Sequence, residues 1–400
     1  MKYQREARGR AFALALGLVA LITPLAVHLF LPVIPVVKLA LGLSNAAAQF
    51  NFSIALFAMA CATLAYGSLS DRLGRRPVLL VGLVLFLLGS AISALAQTAL
   101  TLALGRVVQA VGAGCGMTLV RTIARDAYRA EHLVRAIAYL TMFSTLGPMI
   151  APLVGGILID IAGWRSVFGF ALVAGGIITL AAYLSISETR PGGEAGINDI
   201  GILRSYAELF RHPQFVGYVL QSGFNTASFM TMASAAATLM KEMLARPSSE
   251  FGLYFLLFPV GFFFGNWVSS RVGSRSSNEI MVLVGSVLAM TAISIQAVLL
   301  LSGLVVPLTF FLPGVLATFS QGISLPYAQV GAMAVLPRIA GTAAGVGVFM
   351  QNMGGAVFTQ LYGLFADGTP QPMIAIVLCS GILGLIAGVV PFLCARRRWQ

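Results

Sequence analysis

Gly67-Ser68-Leu69-Ser70-Asp71-Arg72-Leu73-Gly74-Arg75-Arg76-Pro77 is the stretch on which the reading of this chain turns. It separates two charge-free runs, 39–70 and 77–105. Each exceeds the roughly 20 apolar residues that a helix needs to cross a hydrocarbon core. A turn between two membrane helices accounts for most of the stretch. Glycine permits tight backbone, and basic residues keep such a loop on the cytoplasmic face. That turn explains Gly74, Arg75, Arg76 and Pro77, but it does not explain an acid, Asp71, at the membrane boundary among arginines.

Outward from the stretch, the composition agrees. Hydrophobic residues make up 58% of the 400, charged residues 10%, and mean hydropathy is +0.91. A soluble domain carries about 25% charged residues, so the chain reads as an integral membrane protein. The net charge of +12 would suit a polyanion-binding protein if it formed a basic face. Here the basic residues sit in short clusters between apolar runs, so no nucleic-acid partner is expected and the lipid bilayer is the expected surrounding. Cys61, Cys115, Cys379 and Cys394 fall in or beside apolar segments without CxxC or companion histidines; neither disulfides nor zinc are expected. The run Ala11–Val37 is too long for a signal-peptide core of about 7–15 residues and reads as the first span.

Further charge-free runs at 136–159, 166–187, 212–240, 251–270, 339–366 and 368–395, a run at 280–337 long enough for two helices with a turn near Leu301–Pro307, and 101–123 bring the number of spans to twelve. With the N-terminus inside, twenty Lys and Arg fall in cytoplasmic segments and four (Lys38, Arg165, Lys241, Arg246) outside, with Arg106 within a span. That asymmetry predicts both termini in the cytoplasm. The longest polar stretch, 187–213, begins with Arg190-Pro191-Gly192-Gly193 and carries Glu188, Glu194, Asp199 and Glu208. Ile202, Leu203, Tyr206, Leu209 and Phe210 recur there at helical spacing, predicting a short interfacial helix. The expected organisation is a six-helix bundle over 1–186, a central loop over 187–213 and a second bundle over 214–400. A shift of 199 residues lays Arg72-Leu73-Gly74 on Arg271-Val272-Gly273 and Gly155-Gly156 on Gly354-Gly355, a weak internal repeat consistent with that division.

The loop at 67–76 resembles the GxxxDRxGRR signature of the major facilitator superfamily, complete and in the expected place between helices 2 and 3. The resemblance covers the whole chain and implies an all-α membrane protein, with twelve transmembrane helices in two pseudo-symmetric six-helix bundles. It implies that Gly67, Asp71, Arg72, Gly74, Arg75 and Arg76 form a conformational latch. Asp71 would bond Arg75 and face the N-terminus of helix 11 near Gly341-Thr342, and Asp126 would join the relay. A carboxylate at a helix N-terminus is favoured by the helix dipole. Ser270 stands where the second half would carry an acid.

Three further stretches bear on function. Arg106 with Gln109, in Gly105-Arg106-Val107-Val108-Gln109-Ala110, resembles the RxxQG motif of helix 4 with Ala110 for glycine; a guanidinium inside a membrane is a functional candidate by default, with anchoring at the interface as the alternative. Gly147-Pro148-Met149-Ile150-Ala151-Pro152-Leu153-Val154-Gly155-Gly156 is similar to the antiporter motif of helix 5, with Ala151 for its middle glycine. Small residues spaced so let helices approach closely. Helix 1 ends Leu31-Pro32-Val33-Ile34-Pro35, similar to the bicyclomycin/chloramphenicol resistance (Bcr/CflA) subfamily of drug–proton antiporters. That subfamily has an acid near the position of His28. This chain has no Asp or Glu in the middle of any expected span, which leaves His28 as the group there that titrates near neutral pH. Asn225 and Gln351 are further candidates for lining a central cavity.

The expected function is therefore a secondary active transporter, exporting small, partly apolar compounds by proton antiport. Its partners would be a small-molecule substrate and protons, the carrier a monomer in a bacterial inner membrane. The competing reading is a carrier of organic anions or another metabolite, not necessarily proton-coupled. No nucleophile with a base, paired carboxylates or metal-spaced ligands are visible, so no enzyme, no metal and no cofactor are expected.

Overall fold

The computed structural model describes residues 10–128, 130–190 and 202–396. Lys2, Arg5, Arg8, Arg129, the 191–201 part of the central loop and Arg397–Arg398 lie outside the described residues. Among the described residues all regular structure is helical. The first half comprises α1 (Arg10–Ala20), α2 (Ile22–His28), α3 (Val33–Ala40), α4 (Asn45–Leu73), α5 (Arg75–Ala94), α6 (Ala99–Ala127), α7 (Ala130–Ala162) and α8 (Trp164–Ser185). After the short α9 (Ile202–Phe210) come α10 (Pro213–Glu242), α11 (Ser248–Phe255), α12 (Leu257–Val272), α13 (Asn278–Leu301), α14 (Pro307–Val335), α15 (Ala340–Phe365) and α16 (Gln371–Arg396). With α1–α3 as one interrupted span and α11–α12 as another, these make twelve membrane-length segments.

Ten of the twelve are both long and apolar enough to cross a membrane. The other two, α10 and α15, have 30 and 26 residues but carry more Gly, Ser, Thr, Asn and Gln. The packing explains their composition: α10 and α15 lie against each other, α15 also against α4, and α10 against α14 and α16. They face protein more than lipid.

Prolines decide where the spans break. Pro24, Pro32 and Pro35 have no N–H for the carbonyls of Ala20, His28 and Leu31, four residues earlier. The first span accordingly breaks at Leu21 and again over residues 29–32. Tighter bonds fill the second gap, from Leu31 N to His28 O (3.4 Å), Val33 N to Phe30 O (3.0 Å) and Ile34 N to Leu31 O (3.4 Å). In the eighth span the break at Leu256 follows Phe255, the residue whose carbonyl Pro259 leaves unbonded.

Within each half, glycine brings helices to backbone contact. A Cβ on Gly89 would lie 2.1 Å from Gln109 N, and one on Gly265 2.1 Å from Phe319 O. Between the halves the main contacts are α4 with α15 and α7 with α11.

Candidate functional site

The signature loop is held by three acids. Gly74, at φ +99°, reverses the chain between α4 and α5. Arg75 then turns inward and becomes nearly fully buried. Its Nη1 pairs with Asp71 and donates to Ser70 Oγ (2.7 Å), and its Nε donates to Asp126 Oδ2 at 2.9 Å. The two contacts differ in environment, because the side chains of Arg75 and Asp126 are 6% and 8% exposed while that of Asp71 is 56% exposed. The third acid, Glu188, had no assigned role in the sequence reading. Glu188 Oε1 accepts from the backbone N–H of Arg75, Thr189 and Arg190 (2.9 Å each), and Oε2 from that of Arg76 (3.1 Å). Gly74 offers α5 no side-chain cap, and Glu188 supplies one from the end of α8. Its burial pushes the carboxyl up, but the N–H groups of Arg190, Arg75, Arg76 and Thr189 together leave it below its ordinary value. Arg190 donates to Arg72 O (2.8 Å) and Arg76 to Tyr183 O (2.9 Å), closing the loop on α8. A Cβ on Gly67 would meet nothing within 4 Å.

Asp71 does not reach the N-terminus of α15 in this conformation. A Cβ on Gly341 would meet nothing within 4 Å, and one on Gly345 would just reach Leu64 at 4.0 Å. Further along the same two helices the contact tightens, to 3.3 Å between Gly355 and Leu56 and 2.4 Å between Gly363 and Gln49. Thus α4 and α15 converge toward the end opposite the signature loop and splay beside it. Arg338, next to the start of α15, pairs instead with Glu208 of α9.

At the convergent end, polar contacts cross between the halves. Lys38 Nζ donates to both oxygens of Glu242, at 2.8 and 2.7 Å. Asn45 Nδ2 donates to Ala366 O (2.7 Å), Ser53 Oγ to Gln360 Oε1 (2.7 Å), and Gln360 Nε2 to Ala46 O (3.3 Å). Ser248 and Ser249 donate their backbone N–H groups to Asp160 Oδ1 (3.1 Å) and Oδ2 (2.8 Å).

Between the two ends, the motif residues gather around the broken first span. Arg106 is 2% exposed and lies inside the first bundle. Its Nη1 donates to Ala26 O (2.9 Å) and to Gln109 Oε1, and its guanidinium stands 4.2 Å from the centre of the Phe30 ring. Gln109 passes the connection on to Ser90 Oγ at 2.8 Å. The helix 5 motif packs on two partners at once. Gly147 faces Pro24 and Gly155 faces Leu29 O and Pro32, all in the first span. Gly156 faces the backbone of Ser248, and Gly252 faces Pro152 and Leu153, across the boundary between the halves. Ala151 is fully buried between them. His28, 8% exposed, donates from Nδ1 to Pro24 O at 3.2 Å and meets the Phe255 ring edge-on at 6.1 Å. That contact joins the break in the first span to the break in the eighth.

A family model described as the Major Facilitator Superfamily matches residues 16–359. The chain belongs to the Major Facilitator Superfamily. It is 29% identical over 394 residues to multidrug resistance protein D of Escherichia coli K12, covering 98% of this chain and 96% of that protein. It is 22% identical over 393 residues to the bicyclomycin resistance protein homolog of Haemophilus influenzae, covering 94% of each. Among solved structures it resembles a bacterial homologue of the lysosomal transporter Spinster, inward-facing and unoccupied (TM-score 0.74, 19% identity, 99% and 98% of the two chains). It also resembles a D-xylose–proton symporter (TM-score 0.76, 14% identity, 95% and 96%). As a superfamily member the chain is a multi-pass membrane transporter with the twelve-helix fold of two bundles.

Polar residues of the second half mostly tie helices together. Asn225 Nδ2 donates to Ser324 Oγ (3.1 Å), Gln221 to Ser286 Oγ (3.1 Å), and Gln321 to Thr226 Oγ1 (3.2 Å). Gln351 differs, being buried with an amide nitrogen that has no acceptor among the described residues.

Proposed function

We propose that this transporter exports small, partly apolar compounds across a bacterial inner membrane in exchange for protons. The observation that carries the proposal is the one-ended closure, with the halves joined by polar contacts opposite the signature loop and parted beside it. A carrier that works by alternating access passes through such a state. Twenty basic residues against four favour the signature-loop end and both termini in the cytoplasm, so the state described is inward-open. The drug-resistance names of the relatives support the class of cargo, and the helix 5 glycines pressed between the first and eighth spans support an antiporter. His28 is our candidate for coupling, with Arg106 and Gln109 positioning the helix that carries it.

The competing reading, an organic-anion carrier built on Arg106, is the weaker one. That guanidinium is almost fully buried within the first bundle, and its Nη1 is already committed to Ala26 and Gln109. The test is transport of a substrate panel into proteoliposomes under an imposed pH gradient. His28→Gln keeps a hydrogen-bonding side chain but cannot titrate. It is expected to abolish uphill, proton-driven accumulation and retain downhill flux. Uphill accumulation with the normal pH dependence in that variant would make His28 a packing residue and leave coupling elsewhere.

A further inference from the structure

The contacts opposite the signature loop have a symmetry that the sequence does not display. α11 begins after Pro247 with no side-chain cap of its own. Its first two amides are instead satisfied by Asp160, at the end of α7 in the other half, one carboxylate oxygen to each N–H. The approach depends on two glycines. A Cβ on Gly156 would stand 2.2 Å from Ser248 O, and one on Gly252 2.5 Å from Leu153 Cα. Both bonds are charge-assisted, and the carboxylate stands at the positive end of a helix dipole. The charged group acting on it is Lys241 on the α10 side, while Arg246 faces Glu250, in the first turn of α11, at 3.7 Å. Lys38 and Glu242 tie α3 to α10 at the same mouth, each largely shielded from solvent.

We infer that Asp160, reinforced by the Lys38–Glu242 pair, is the latch that holds the mouth opposite the signature loop shut, and that it is the opposed counterpart of Asp71. Asp160 satisfies the N-terminus of α11 at one mouth; Asp71, paired with Arg75 in this conformation, is the carboxylate that the resemblance sets toward the N-terminus of α15 when the other mouth closes. The two helices start at opposite ends of the second bundle, so the latches alternate, and the difference in their strengths sets the resting conformation. The inference rests on alternating access but not on the identity of the cargo.

The test uses the full chain in lipid nanodiscs, with the four cysteines replaced by alanine or serine. Spin labels are placed at Leu100 and Leu304, exposed sites of the two halves at the Asp160 end. Double electron–electron resonance without substrate then reports the width of that mouth. Asp160→Ala is expected to raise the ratio of long-distance to short-distance populations at least tenfold. Glu242→Gln should do so by a smaller factor, and adding Asp71→Asn to Asp160→Ala should bring the ratio back toward that of the parent. Unchanged distances in folded Asp160→Ala and Glu242→Gln proteins overturn the latch. Should Asp160→Ala not fold, Asp160→Asn and Lys38→Gln carry the same test. Widening in Asp160→Ala, with no proton-driven transport of any compound by the parent, keeps the latch and sinks the export reading. Export by the parent with unmoved distances in the variants does the reverse.

Discussion

Replacing Glu188 tests whether the signature loop is held from α8 as well as by its own arginines. Four backbone N–H groups converge on this one carboxylate, and two of them, at Arg75 and Arg76, open α5. Bonds to a charged group contribute about 1.5–3 kcal/mol each where they are shielded. Glu188 stands at the protein edge, where solvent screening reduces that figure. The cost of losing a helix N-cap, about 0.5–2 kcal/mol, is the better scale, with a further few tenths from the helix dipole. We therefore expect Glu188→Ala to weaken the start of α5 by about 1–2 kcal/mol, a factor of roughly 5–30 in a local opening equilibrium. Hydrogen–deuterium exchange of peptides spanning 72–80, with the start of α13 as control, reads that factor directly. The pH dependence has a definite sign. The capped carboxyl titrates below its ordinary value, so its contribution is complete above the unfolded value of about 4.3. It is lost as pH falls through the lower, capped value. Protection should hold between pH 8 and 5, decline only as the pH falls below the unfolded carboxyl value, and show no such step in Glu188→Gln. Equal exchange in parent and Glu188→Ala, or protection already falling between pH 8 and 5, would refute the argument.

Two further substitutions separate burial from mere proximity. Asp126→Asn breaks a shielded pair with Arg75 and should cost about 3–5 kcal/mol in thermal unfolding in detergent, whereas Asp71→Asn, at a 56% exposed side chain, should cost about 1 kcal/mol or less; equal losses would contradict the assignment. Gly89→Ala places a methyl 2.1 Å from Gln109 N, on backbone that cannot rotate away, and should lower the unfolding free energy by about 1–3 kcal/mol or more. Gly176→Ala, where a Cβ meets nothing within 4 Å, should leave the unfolding transition where it is.

The span count was legible because it depends on a one-dimensional property, the length of charge-free runs. Even the turn within 280–337 falls where Leu301 and Pro307 placed it. The breaks at Leu21 and Leu256 were less legible. Proline marks where a bond is missing but not whether the helix absorbs the gap, and Pro148 and Pro152 sit inside an unbroken α7. Glu188 was overlooked because its partners are backbone amides 112 and 113 residues away, and backbone amides carry no residue-type signal. Asp160 escaped for the same reason. A positively biased turn without its own cap, such as Gly74-Arg75-Arg76, is the available hint that an acid must come from elsewhere.

On the proposed reading, Arg106 serves position rather than cargo. Its cost of burial is offset by the Phe30 ring, Ala26 O and Gln109. What it grips is α2, a helix of seven residues between two proline-induced breaks. Such a short segment cannot fix its own orientation, since a lone helix shorter than about 12 residues is marginal. It is held instead by Arg106 from α6, by Gly147 from α7, and by the bond from Thr23 Oγ1 to Ala113 O at 2.7 Å, while Gly155 of α7 packs on the break that follows it. At its end stands His28, touching Phe255 where the second half has its own break. On the proposed reading, a shift of α11 at the Asp160 mouth acts on the surroundings of His28 through Phe255, and a change of charge on His28 acts back on α11. Mutual influence is what coupling requires, and the ring contact between two interrupted helices is the route we propose for it.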